Sequence, residues 1–219
     1  MVTGTRVRTL PDPNNLAAGV WLCAVIYYDD HGRMLQANTE NYRGGIDKVT
    51  NVYNFAGKVL SSRIEHSNPL NTDINTLQLA VQTNMQYDFA GRLLQVSKSI
   101  NGVADKIIVT NTYGALGQLS SKQLGQNING ILDYSYNVRG WLKGINKDYA
   151  NNITSNRWFG MELNYDYGFG TNQLNGNIAG TKWRSKGSDI VRSYGYGYDR
   201  LNRLVSGILH RVQTIPMTR

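Results

Sequence analysis

The chain has 219 residues, of which 41% are hydrophobic and only 17% charged, against about 25% charged in an ordinary globular chain. Lys and Arg outnumber Asp and Glu by 23 to 15, a net charge of +8, yet the basic residues are scattered and never run three together. Coiled coil, collagen and charge-driven disorder are excluded, and nucleic acid is not an expected partner; the bulk charge favours acidic surfaces without specifying one. The 23 glycines and 14 tyrosines, with only 4 prolines, make a strand-and-turn composition for a chain long enough to bury a core.

The first predicted element is a buried strand within the apolar stretch Leu16–Tyr28. It is too short for a membrane-spanning helix, which needs about 20 apolar residues. Pro11, Asp12 and Pro13 interrupt its approach, and Trp21 and Leu22 stand where a lipoprotein cleavage box needs small residues. The signal of an exported parent protein is therefore expected upstream. Cys23, the single cysteine, excludes an internal disulfide framework and a four-thiolate zinc site. Alternating with Trp21 and Val25, it reads as a buried, inert strand thiol.

From Tyr28 onward the chain repeats itself. Tyr28-Asp29-x-x-Gly32-Arg33 is followed by Tyr53-Asn54-x-x-Gly57-Lys58 and Tyr87-Asp88-x-x-Gly91-Arg92. Then come Tyr113-x-x-x-Gly117, Tyr136-Asn137-x-x-Gly140 and Tyr198-Asp199-x-x-Asn202-Arg203, with a degenerate copy at Tyr165–Phe169 whose glycine is out of place. Successive tyrosines lie 25, 34, 26, 23, 29 and 33 residues apart, shorter and less even than propeller blades require.

The motif has a local physical reading. A three-residue hairpin loop commonly pairs a type I turn with a left-handed residue that forms a bulge. In Tyr87–Leu93 the loop is Phe89-Ala90-Gly91, Asp88 opens the turn, and Gly91 takes the left-handed position. Asn202, in the glycine's place, is the next most tolerant residue there. Tyr87 is expected opposite Leu93 on a core face, and Asp88 opposite Arg92 as an outer polar pair. Between tips, Ile107–Tyr113 and Ile131–Tyr136 read as strands, and Asn101-Gly102, Asn129-Gly130 and Asn175-Gly176 as turns. The one helix candidate is Thr72–Leu79. With no composition shift along the chain, a single all-β domain over 1–219 is expected, its tips near 28–35, 53–60, 87–94, 113–119, 136–142, 165–169 and 198–205.

The ordered series, together with Asn137-Val-Arg-Gly-Trp-Leu142, Asn175–Trp183 and Tyr198–Leu204, resembles the RHS/YD-repeat family in its Bacteroidetes-type form. The resemblance covers about residues 20–210. It implies consecutive antiparallel hairpins in a curved, spiralling sheet, part of a β shell that is exported or displayed at the cell surface. The implied partner is the remainder of a larger RHS-type protein or an enclosed effector. The chain departs from the family in lacking an Asp-Pro-x-Gly self-cleavage motif near its end; its one Asp-Pro is Asp12-Pro13. No toxin domain is expected after Arg211.

Sites of chemistry are sparse. His31 and His66 read as loop histidines, and neither pairs with Cys23 in a nucleophile pattern; His210 adds no metal spacing. Asp29-Asp30 is explained by turn chemistry, and Asn152-Ile-Thr154 is a formal glycosylation sequon. No catalytic, cofactor or metal residue is assigned. Alternating aromatics at Tyr165–Phe169 and at Tyr194, Tyr196 and Tyr198 place each set on one strand face, as sheet packing or, alternatively, as a platform for glycans.

Overall fold

The computed structural model describes residues 2–71, 78–127, 130–153, 156–170 and 172–211. The helix candidate falls largely outside them, as do Asn129 of one predicted turn and Thr154 of the sequon. Alternating apolar runs broken by Gly and Asn turns give the strands β1 (Gly4–Arg8), β2 (Trp21–Tyr28), β3 (Met34–Glu40), β4 (Ile46–Tyr53), β5 (Val59–Ser67), β6 (Gln78–Tyr87), β7 (Leu93–Ile100) and β8 (Lys106–Tyr113). They continue as β9 (Leu119–Leu124), β10 (Ile131–Tyr136), β11 (Leu142–Ile145), β12 (Phe159–Asn164), β13 (Gly180–Ser185), β14 (Arg192–Tyr198) and β15 (Leu204–Arg211). All fifteen belong to one antiparallel sheet whose strand order is the chain order, open at β1 and at β15. A 3-10 turn at Leu16–Ala18, a 3-10 residue at Gly130 and the short helix α1 (Lys147–Ala150) are the helical elements among the described residues. None of these is long and apolar enough to cross a membrane.

The chain divides into two compact units, Met1–Ile108 and Val109–Arg219, at a point inside β8 that no composition shift marks. In the first unit the register sets Ile26, Ala37, Val49, Ile64, Val81 and Ile100 in one apolar row across six strands. The opposite face carries polar residues: Lys48 and Arg63 both pair with Glu65, and Gln82 donates to Asn84. Among the described residues of this unit no second layer covers the apolar row, and Ile64 is 48% and Ile100 54% exposed. The expected sizeable core is therefore missing from this unit, where only Gly45 and Ser97 are buried among the described residues. The Leu16–Tyr28 stretch is corrected likewise: its strand starts at Trp21, leaves Trp21, Val25 and Tyr27 exposed, and holds Cys23 only half-buried. His66 is not in a loop but in β5, directly opposite Asp47, with its Nδ1 2.5 Å from the carboxylate.

The second unit has the buried side chains. Tyr149, Ala150, Tyr165, Ala179 and Val191 form its apolar core, beside buried Asn146, Glu162, Asn164, Arg184 and Ser193. Gly144, Gly160 and Gly180 share the face of β11–β13 that carries Glu162, leaving room for α1 and a loop to pack on it.

Candidate functional site

Each tip is built by one side chain. Gly91 N–H donates to the Asp88 carbonyl at 2.9 Å, and Asp88 N–H to the Arg92 carbonyl at 3.0 Å. Asp88 Oδ1 accepts from Arg92 N–H at 2.7 Å, and Oδ2 accepts from the Arg92 guanidinium at 2.6 Å. Asp29 with Arg33 and Asp199 with Arg203 repeat the pattern, and Asn54 and Asn137 supply the same Oδ1 to Lys58 and Trp141. Backbone φ is +76° at Gly32, +80° at Gly57, +74° at Gly91, +79° at Gly117 and Gly140, and +61° at Asn202. A seventh loop of this chemistry, not foreseen from sequence, joins β3 to β4: Asn41 Oδ1 caps the amides of Arg43 and Gly45, and Gly44 has φ +76°.

The Asp–Arg pair forms as expected but is not an outer one, since only 16% of the Asp88 side chain is exposed. The Arg92 amide, with its guanidinium, holds the Asp88 carboxyl below the usual aspartate range. Asp29, Asp30 and His31 bring their ligating atoms within 4.8 Å of one another. Asp29 is nevertheless committed to its turn and to Arg33, while Asp30 and His31 pair in solvent.

Beyond each tip the outgoing strand gains one residue. Gln86 faces Gln95 while Tyr87 faces Leu93, so Leu94 is extra. Leu35, Leu60, Ser120, Lys143 and Val205 are the extra residues of the other five hairpins. Such a bulge shifts the alternation by one and increases local twist.

Successive hairpins are tied together by two contacts. The motif tyrosine donates its O–H to the carbonyl of the residue two past the preceding tip's left-handed position. Tyr53 reaches Met34 at 2.9 Å, Tyr87 reaches Val59 at 2.9 Å, Tyr136 reaches Leu119 at 3.0 Å, and Tyr165 reaches Leu142 at 3.0 Å. The second contact starts from the residue just after that left-handed position. Arg33 lies over the Tyr53 ring at 5.1 Å and against Gly57; Lys58 lies over Tyr87 at 5.5 Å and against Gly91. Gln118 and Trp141 keep the place without a charge, packing on Gly140 and Gly176.

That last contact locates the missing glycine of the degenerate copy. Eleven residues separate Tyr165 from Gly176, where four separate Tyr87 from Gly91. Gly176 has φ +103°, Asn177 donates to Asn202 Oδ1 at 3.1 Å, and Tyr198 O–H donates to the Ile178 carbonyl at 2.9 Å. The copy is thus a full repeat with an insertion. The insertion corrects the strand expected at Tyr165–Phe169: β12 stops at Asn164, and the chain bends back over the sheet. Tyr167 O–H donates to Glu162 Oε1 at 2.7 Å, and the Phe169 ring occupies the space above Gly180.

Glu162 is the hub of this cover. It also accepts from Lys147 Nζ at 2.8 Å and from Asn151 Nδ2 at 2.7 Å. Burial pushes its pKa up, but the donors from Lys147, Tyr167 and Asn151 outweigh this and hold the carboxyl below its ordinary value. The bond to Glu162 correspondingly raises the Lys147 pKa. With three donors on one carboxylate, the cluster pins α1 and the insertion to β12.

The aromatic set on β14 separates into two. Tyr194 is flanked by Trp183, 5.5 Å away and 9° from parallel, and by Tyr196, 6.3 Å away and 12° from parallel. Tyr196 also rests against Gly207 across the ladder. These rings spend their faces on one another, as sheet packing does. Tyr198 is outside the stack and serves as a hairpin tyrosine.

No protein-family model matches the chain, and no curated protein matches it. Among solved structures, the chain is similar to one described as the crystal structure of TcdB2-TccC3-Cdc42, with 16% sequence identity and a TM-score of 0.46. The similarity covers 85% of this chain and 12% of that one.

Proposed function

We propose that the chain is a non-enzymatic structural module, a stretch of β wall in a larger exported protein of the RHS/YD-repeat kind, which encloses or presents a cargo or effector segment. The observation that carries this reading is the hairpin-to-hairpin tie: a tyrosine O–H to the preceding strand, and a side chain laid on the next tip. A link that runs only between sequence neighbours lets a sheet be lengthened one hairpin at a time, as in solenoid repeats. The motif residues are thereby spent on architecture. The single-layer first unit, with one apolar row uncovered, suits a wall better than a free-standing globule. Its place would be outside the cell or at its surface.

Limited proteolysis of the parent protein tests the reading. The segment it encloses should resist protease until the sheet is unfolded with urea, and then be digested rapidly. Digestion at one rate whether or not the sheet is folded overturns it.

A further inference from the structure

The ties between hairpins keep one register. The residue four past the left-handed position faces the residue three before the next motif tyrosine. Gln36 is opposite Thr50, Ser61 opposite Asn84, Ser121 opposite Asp133, Gly144 opposite Glu162, and Gly180 opposite Gly195. Each outgoing strand therefore receives an incoming strand that ends in tyrosine. β15 is an outgoing strand too, following the tip whose left-handed residue is Asn202. Among the described residues no strand pairs with its outer edge.

The receiving groups stand bare on β15. Leu204, two past Asn202, is 59% exposed, whereas the acceptors Met34, Val59, Leu119, Leu142 and Ile178 are all half-buried. Arg203 donates to its capping aspartate as Arg33 and Arg92 do to theirs. Its side chain is nevertheless 74% exposed, against 28% for Arg33, which lies over the Tyr53 ring, and 37% for Arg92. Leu209, seven past Asn202, is 46% exposed, where Ile64, seven past Gly57, meets Val81. An open edge is a template for a further strand. The tie adds a demand for one side chain, tyrosine, at one place.

A second copy of the chain does not meet that demand. Its other open edge, β1, is a strand of the receiving kind: the Val2 carbonyl beside it accepts from Tyr28 as Val59 does from Tyr87, and Gly4–Arg8 contains no tyrosine. Residues 212–219 contain none either.

We propose that the outer edge of β15 is a docking site for the incoming strand of a further repeat hairpin, paired antiparallel with the residue three before its tyrosine opposite Ser206. The tyrosine donates its O–H to the Leu204 carbonyl, and its ring lies under the Arg203 guanidinium. The proposal rests on the wall reading and names the contact by which the wall is extended.

Fluorescence anisotropy of the full chain with a labelled peptide of residues 78–88, an incoming strand that carries its tyrosine, tests the proposal. The wild type should bind this peptide. Tyr87→Phe in the peptide keeps the ring and should weaken binding about fivefold, and Tyr87→Ser should weaken it further. R203Q takes the residue found at the same place in another tip, Gln118, and its far-UV spectrum should match the wild type. It should weaken binding of the Tyr and Phe peptides about threefold and leave that of the Ser peptide unchanged. A wild type that does not bind at about 1 mM peptide overturns the proposal. So does equal binding of the three peptides, or a dimer of the chain that excludes them. None of these results touches the protection of an enclosed segment from protease, by which the wall reading itself is judged.

Discussion

Replacing Tyr87 by phenylalanine removes one oxygen and leaves the rest of the repeat in place. The ring still faces Leu93 and still offers its face to Lys58, so what is lost is the 2.9 Å bond to the Val59 carbonyl, with a weak 3.6 Å contact to the Met85 sulfur. A single intramolecular hydrogen bond contributes about 1 kcal/mol net. With a urea slope of about 2–3 kcal/mol per molar, the unfolding midpoint should fall by about 0.3–0.5 M. Y42F is the control, because Tyr42 is 68% exposed in the β3–β4 loop, and its midpoint should not move. Y53F/Y87F should lose nearly twice as much as Y87F, since the two acceptors, Met34 and Val59, are different carbonyls. Urea unfolding followed by far-UV circular dichroism reads all three. A Y87F midpoint that coincides with that of Y42F would refute the role given to the tyrosine hydroxyl.

Gly91→Ala should cost more than about 1 kcal/mol in the same assay, because the position has φ +74° and a Cβ there would stand 2.5 Å from the Lys58 Cε. The Asp88 and Asp199 carboxyls are held low chiefly by the amides of Arg92 and Arg203. Their contribution is complete above the unfolded aspartate value of about 3.9 and is lost as pH falls through the lower folded value. The Tm gap between wild type and D88N/D199N should therefore close as the pH is taken from 5 towards 2 (about the range the linkage spans), and a gap independent of pH contradicts the assignment. Glu162→Ala should destabilise the second unit by about 3 kcal/mol, the lower end of the range for breaking a buried pair, since Lys147 stays partly solvated. Three of the four tryptophans, Trp141, Trp158 and Trp183, lie in that unit, so tryptophan fluorescence measured in a W21F background follows its unfolding.

The hairpin tips were legible in the sequence because their chemistry is local. An acceptor at Asp88 and a left-handed residue at Gly91 act within four positions of each other. The bulge after each tip left no trace, for the backbone absorbs the extra residue whether it is Leu94, Ser120 or Lys143. Gly176 reads from sequence as part of a turn but not as the glycine of the repeat, because seven inserted residues separate it from where the pattern places one; its positive φ, its contact with Trp141 and the Tyr198 bond to Ile178 reveal the role. The core was overestimated for a different reason. Composition counts apolar side chains but does not say whether a second layer exists to cover Ile64 and Ile100. The acid that organises the second unit, Glu162, carries no motif; only its place beneath an insertion gives it three donors.

The ties between hairpins all sit at one end of the strands, and this explains why tyrosine spacing wanders between 23 and 34 residues. Within each unit the sheet behaves like a comb whose spine is the row of tips and whose teeth are joined at the other end by return turns with caps of their own, as where Asn41 donates to the Ser67 carbonyl. Lengthening a tooth, as at the return turn Asn101-Gly102, leaves the spine in register. Sequence change should accordingly be tolerated at the return turns, where an inserted peptide or epitope is expected to be carried without loss of the fold, while a single residue added between Asp88 and Gly91 should break the cap of that tip.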